Sequence, residues 1–512
     1  MVASSQPLAV EAAIDTLRSG GNAIDAAVTA TFVLMVVEPM STGLGGDCFA
    51  LVNLAKENRL IGINASGRAP RAASLEALLG LGVKQMPLEG PLSVTVPGAL
   101  DGLVQSLATY GTISLSEALL AAIFYAENGF PVPEVAAQMW ELGSTKLKRN
   151  SESARIYLPN GRPPLPGQLF RNPDLAQTLR LIAERGSDVF YSGEIGEALV
   201  SAVQNLNGLI SLADLTEHTS DWVEPIKTSY RGYDVIEMPP NNQGLAALIA
   251  LNIVEGYRLC EMGHNSAEYL HCLIEAMKLA LADAQNNVAD PNEPVQIDNL
   301  LTKNHAQERR IQINPDSGKS TFDRNAGNEH GDTVYVAVVD EQRNVVSMIS
   351  SLFKAFGSGV TVPKTGLLLQ NRGSGFSLEP SHPNRLAPGK RPYHTIMPAI
   401  ITRDNRPWAC FGVVGGMMQP QGHLQVVCNL IDFDMNPQSA LDAPRFRVLK
   451  DGELALEDGI PESVCAQLAA LGHDIKSEPT EEGLGGGQVI LISEGTLFGG
   501  SDPRKDGCAS GY

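Results

Sequence analysis

The sequence predicts an α+β protein in which sheets are stacked between helical layers. Three observations lead there. Apolar residues recur at helical spacing through much of the first 290 residues, strand-like runs crowd the chain after residue 332, and a polar stretch at 287–331 separates the two.

Residues 7–18 are amphipathic, Gly20-Gly21-Asn22 punctuates, and residues 23–37 are apolar all round, so two helices are expected, the second buried. Pro39 stops that helix. Gly43-Leu44-Gly45-Gly46-Asp47 then makes a tight loop into a strand at 48–53, with 60–64 as its hairpin partner. Residues 90–290 read as mainly helical, most clearly at 114–128, 172–185 and 268–286. The segment 287–331 is rich in Asn, Asp, Gly and Lys and reads as an exposed, cut-prone linker. Strands follow at 333–340 and 345–352, with shorter ones at 367–370, 396–402 and 408–413. Helices are expected near 422–432 and 462–471, and a strand at 488–493 closes the chain. No internal repeat is visible.

The chain has 512 residues, 43% hydrophobic and 19% charged, ample material for a large core. Its formal net charge of −19 argues against phosphate backbones and anionic membrane surfaces as partners. No apolar run approaches the roughly 20 residues that span a bilayer, and no secretory signal opens the chain, so a cytoplasmic location is expected. The seven cysteines are scattered without a CxxC pair, which suggests reduced structural thiols.

Several motifs fall away. Gly318-Lys319-Ser320 lacks the earlier glycine of a phosphate loop, since Ile313 stands there. No HExxH pair supports a zinc hydrolase, and neither a metal nor another cofactor is expected. Gly357-Ser358-Gly359 has Phe356 where a nucleophile elbow needs glycine.

Gly331-Asp332-Thr333 is more informative. If the peptide bond before Thr333 is cut, that residue offers a hydroxyl and an α-amine on one skeleton. An amine of near-neutral pKa can take the hydroxyl proton, so nucleophile and base need no separate histidine. Threonine is also simply a good β-former at a strand start. Gly415-Gly416, after a short strand, can present consecutive N–H groups as an oxyanion hole, or make an ordinary turn.

Collinear segments tie these features together. They include Met1-Val-Ala-Ser-Ser-Gln-Pro-Leu-Ala9, Gly20-Gly-Asn-Ala-Ile-Asp-Ala-Ala27, Val37-Glu38-Pro39 and Gly43-Leu-Gly-Gly-Asp47. Val96-Pro97-Gly98-Ala99, Glu275-Ala276-Met277-Lys278-Leu279-Ala280 and Gly500-Ser501-Asp502-Pro503-Arg504 extend the set to the chain's end. The chain thereby resembles the γ-glutamyltranspeptidases. The resemblance implies a four-layer αββα N-terminal-nucleophile hydrolase that cuts itself into residues 1–332 and 333–512, which together form one unit. It implies that Thr333 attacks the Asp332 carbonyl in processing and an amide substrate afterwards. Ser351 matches a hydroxyl that supports the nucleophile, and Gly415 and Gly416 match the oxyanion glycines.

The residues that grip a γ-glutamyl group in that family do not match. Ser66 stands at the position of the carboxylate-binding arginine, with Arg68 two residues on. Phe353 replaces an asparagine, Arg372 a glutamine, Gly375 the ammonium-binding aspartate, and His394-Thr395 a serine pair. A pocket that loses a carboxylate and gains Arg372 and a protonatable His394 should favour an amide bearing a carboxylate but no α-ammonium, with Phe353 narrowing the space. Alternatively Arg372 pairs with a structural acid. Oxamate amidohydrolases and bacterial transpeptidase-like hydrolases fit this pattern better than glutathione-processing enzymes. True γ-glutamyl transfer, a cephalosporin-acylase-like activity and a non-catalytic binding role stay open, as does oligomeric state.

Overall fold

Helix Ala23–Val37 starts where Asn22 and Asp25 cap each other: Asn22 accepts from the N–H groups of Ile24 and Asp25, and Asp25 accepts from that of Asn22 at 2.8 Å. All 15 of its residues are buried, as their apolar character requires. The computed structural model describes residues 1–318, 332–449, 452–476, 483–493 and 495–512.

Two antiparallel sheets form the centre. The first runs Cys508–Ser510, Val2–Ser4, Asp332–Val339, Val345–Phe353, Asp47–Leu54, Arg59–Ala65, Asp221–Val223. The second runs Thr496–Ser501, Gly486–Ser493, Arg406–Val414, Ala399–Arg403, Tyr233–Glu237, Ile226–Tyr230. Alternation along Asp332–Val339 explains the layering. Tyr335, Ala337 and Val339 join Phe49, Ile400 and Cys410 in a core between the sheets. Val334, Val336 and Val338 turn the other way, into the core shared with Ala23–Val37 and its neighbours. On the far face of the second sheet, helices Gly244–Val254, Ala267–Asn287 and Met418–Ile431 close a third core. The order is helix, sheet, sheet, helix.

The expected helices and hairpins are present, with additions. The mainly helical reading of 90–290 overlooked the short pair Phe130–Pro131 with Leu169–Phe170 and three strands of the central sheets. Of these three, Asp221–Val223 edges the first sheet, and a hairpin of Ile226–Tyr230 with Tyr233–Glu237 edges the second. That hairpin turns at Arg231 and Gly232, both at positive φ (53° and 84°), as two-residue hairpins require. The chain also does not close at residue 493, since Thr496–Ser501 and Cys508–Ser510 extend the two sheets. Nor are residues 287–318 merely an exposed linker. They hold helices Ile297–Leu300 and Lys303–Ile311, the latter anchored by His305 on Asp283 at 2.8 Å and Arg310 on the Ile253 carbonyl at 2.8 Å. Polar residues that look solvent-facing in the sequence are spent on fixed acceptors. The rest of that expected linker, with Lys319 and Ser320, lies outside the described residues. No helix among the described residues is long and apolar enough to cross a membrane.

Candidate active site

Thr333 is the second residue of its strand and is buried, with 1% of its surface exposed. Its side chain lies on the same strand face as Tyr335, the face that looks at the second sheet. The Thr333 hydroxyl donates to Ser351 Oγ at 3.2 Å, and Ser351 Oγ also accepts the Phe353 N–H at 2.8 Å. The regular register up to Ser350 opposite Val334 brings Ser351 across from Thr333, and a shift beyond it sets Phe353 opposite Asp332. Nothing is described of the Asp332 side chain.

Gly415 and Gly416 lie between strand Arg406–Val414 and helix Met418–Ile431. Their φ values of 119° and 61° are ones that side chains rarely adopt. Their carbonyls accept from Met418 and Gln419, each at 3.1 Å, and no hydrogen bond from either N–H is found among the described residues. The strand before them crosses the strand of Thr333 closely: a Cβ on Gly412 would sit 2.5 Å from the Tyr335 ring. Cys410 bonds the Val346 carbonyl at 3.2 Å on the far side of Tyr335 from Thr333. Continuing from Gly412 away from Cys410 therefore carries the glycine pair toward the Thr333 end.

Asp47 organises the remaining group. Its Cα is paired with that of Ser351 across neighbouring strands. Its carboxylate accepts from Gly67 N at 2.8 Å, Gln370 Nε2 at 3.0 Å and His394 Nε2 at 3.0 Å. Arg372 Nε stands 4.0 Å from the oxygen that His394 uses. The guanidinium is fully buried, stacks 4.0 Å over the Phe353 ring and donates Nη1 to Thr395 Oγ1 at 2.9 Å. Among the described residues its Nε and Nη2 have no hydrogen-bond partner. Lys354 Nζ lies 4.6 Å over the same ring.

Burial pulls the Arg372 guanidinium down to about 9, with Asp47 working the other way, so it stays charged at neutral pH. Burial and then Arg372 push His394 down to about 3. It is neutral: Nε2–H donates to Asp47 and Nδ1 accepts the Ile396 N–H at 3.4 Å. The sequence reading of a protonatable His394 is therefore corrected, because burial and, after it, the neighbouring guanidinium disfavour a second positive charge.

Thr333 and Ser351 thus meet directly, and Phe353, Arg372, His394 and Thr395 cluster beside them. Arg68 does not join this group. It is spent on the Thr219 carbonyl at 3.0 Å and on Asp221 at 3.2 Å. Ser66 bonds Asn64 Oδ1 at 2.7 Å, and a Cβ on Gly375 would meet the Tyr393 carbonyl at 3.0 Å. Asp47, Gln370 and Lys354 were not singled out from sequence. The only signal for Asp47 was its place at the end of the glycine loop. A cavity of about 630 Å³ opens elsewhere, between helices Ala267–Asn287 and Glu462–Ala470, and shares no residue with this group. Among the described residues no cluster of His, Cys, Asp and Glu could hold a metal ion.

The γ-glutamyltranspeptidase family model matches residues 9–512. The chain is 37% identical to the glutathione hydrolase-like YwrD proenzyme of Bacillus subtilis, over 100% of this chain and 98% of that one. It is 34% identical to the oxamate amidohydrolase proenzyme of Klebsiella pneumoniae, with the same coverage of 100% and 98%. The crystal structure of cephalosporin acylase from Bacillus halodurans superposes with a TM-score of 0.92 at 41% identity, covering 100% of this chain and 96% of that one. The chain belongs to the γ-glutamyltranspeptidase family, an amide-bond hydrolase on the N-terminal-nucleophile αββα fold.

Proposed function

We propose that the chain cuts itself between Asp332 and Thr333, giving subunits 1–332 and 333–512, and then hydrolyses small amides that carry a carboxylate but no α-ammonium. The freed α-amine of Thr333 takes the proton of its own hydroxyl, and the hydroxyl oxygen attacks the substrate carbonyl. The negative oxygen that develops is met by the N–H groups of Gly415 and Gly416. The amine leaves with a proton, and water then hydrolyses the ester on Thr333.

The observation that carries the substrate class is the buried Arg372, with Nε and Nη2 unsatisfied beside the Thr333–Ser351 pair. An unpaired buried donor costs about 1–3 kcal/mol, more when charged, and a carboxylate placed there relieves it. A γ-glutamyl ammonium finds the reverse. The acid beside Arg372 is Asp47, already held by Gly67, Gln370 and His394, and Arg372 repels a second cation.

The test is a panel of short dicarboxylate monoamides, glutathione and γ-glutamyl anilides offered to the processed protein. The monoamides should be preferred by about 100-fold or more in kcat/KM, corresponding to about 2.7 kcal/mol. Comparable turnover of glutathione would refute the reading. The likeness to the Bacillus halodurans cephalosporin acylase favours a second reading, cleavage of larger acyl amides. Preferential turnover of a bulky acyl amide in the same panel would select it.

A further inference from the structure

Lys146 lies on helix Glu134–Leu147, apart from the residues described above. Its ammonium donates to the carbonyls of Ala355 at 2.7 Å and Gly357 at 2.9 Å. Both belong to the loop that follows Phe353, the last residue of the strand carrying Ser351. This loop is tightly wound: Phe353, Phe356, Gly357 and Gly359 all have positive φ, at 81°, 57°, 53° and 74°. Such winding turns carbonyls out of any regular ladder, and they need a donor from elsewhere. The fit is close, since a Cβ on Gly359 would sit 2.8 Å from Lys146 Cγ.

On its other side the loop is sewn to the segment that ends in Arg372. Ser358 donates to the Leu369 carbonyl through N at 2.8 Å and Oγ at 2.7 Å. Lys354 N donates to Asn371 Oδ1 at 3.1 Å, and Asn371 N to the Leu352 carbonyl at 3.2 Å. The same few residues thus connect Ser351, the Phe353 ring and the guanidinium stacked on it.

We propose that Lys146 is a positioning residue: by gathering the Ala355 and Gly357 carbonyls it fixes loop 354–359, and through it the Phe353–Arg372 stack that receives the substrate carboxylate. This rests on the carboxylate-amide reading of Arg372 above. The charged groups acting on Lys146 are Glu89 and Arg149, which pair with each other. Burial brings Lys146 down to about 8, Glu89 opposing and Arg149 adding to the effect. As pH rises through that value its bonds to the carbonyls lose their charge assistance and weaken. KM should then rise, while kcat, set at Thr333, changes little.

Hydrogen exchange on the processed protein at about pH 7 tests the strut without any substrate. The Gly357 and Gly359 amides should exchange about tenfold faster in Lys146→Met and near the wild-type rate in Lys146→Arg. In parallel, KM for a dicarboxylate monoamide should rise about tenfold in Lys146→Met, with kcat within about twofold. Arg372, at about 9, raises KM in both proteins toward the top of the range, so the readout is the ratio of wild-type to Lys146→Arg KM, which should climb between about pH 7 and 9.5. Unchanged exchange in Lys146→Met, or a ratio of wild-type to Lys146→Arg KM that stays flat to about pH 9.5, would overturn the proposal. Faster exchange in a protein whose wild type turns over no carboxylate amide supports the strut and refutes the substrate reading instead. If Lys146→Met does not fold, the wild-type and Lys146→Arg pH profiles decide.

Discussion

Replacing Asp47 by asparagine keeps the outline of the side chain and removes its charge, which isolates what that charge does for Arg372 and His394. At the observed 4.0 Å separation from Arg372 Nε, the attraction is about 4 kcal/mol for an effective dielectric near 20. Removing one partner of a buried pair costs about 3–5 kcal/mol, because the other charge is left uncompensated. The asparagine oxygen can still accept from Gly67 and Gln370, but its amide then faces the His394 Nε2–H, donor against donor. The expected destabilisation is about 3 kcal/mol. A substrate-like dicarboxylate supplies the missing negative charge, so it should stabilise Asp47→Asn more than it stabilises the wild type. Denaturant melts of both processed proteins, with and without saturating dicarboxylate, measure all four states. An Asp47→Asn protein as stable as wild type would refute the charge argument. Equal stabilisation of both by the dicarboxylate would refute the placement of its carboxylate at Arg372.

Thr333→Ala should leave a single full-length band on a denaturing gel, while Thr333→Ser should yield the two fragments more slowly. Gly416→Ala places a side chain at φ 61° where the oxyanion is expected; kcat should fall by about 10²-fold with KM changing less, measured on the best monoamide. Neutral His394, held down to about 3, implies acid sensitivity. Between that value and its ordinary 6.5 the unfolded chain binds the extra proton, so this residue's contribution is lost as pH falls, at about 1.4 kcal/mol per unit. His394→Gln should flatten the acid side of the stability profile in denaturant melts.

The helices and central strands were legible because each buries one consistent face or, like residues 23–37, every face. The hairpin at 226–237 was not, since its strands have only five residues each, a buried position of the first is the polar Thr228, and its turn uses Arg231 rather than asparagine. Polar residues 303–311 hid a helix because their partners, Asp283 and the Ile253 carbonyl, are distant in sequence. At the site, Thr333 and Ser351 could be named from position along two strands. Asp47 could not, because its importance comes from what converges on it from residues 67, 370 and 394. Arg68 misled for the converse reason: closeness in sequence to Ser66 says nothing about direction, and it points to Asp221.

Residues 2–4 pair with 336–338 on one side and with 508–510 on the other. A break before Thr333 would therefore leave a strand of one piece threaded between two strands of its mate, while residues 226–237 of the first piece edge a sheet built by the second. Neither piece could then complete a sheet by itself. Folding would be unimolecular before the break and, once the pieces had been fully unfolded, second order afterwards, with recovery depending on protein concentration. The mature molecule would outlast brief heat or denaturant by the slowness of its opening, and would return only where the pieces are concentrated enough to meet again.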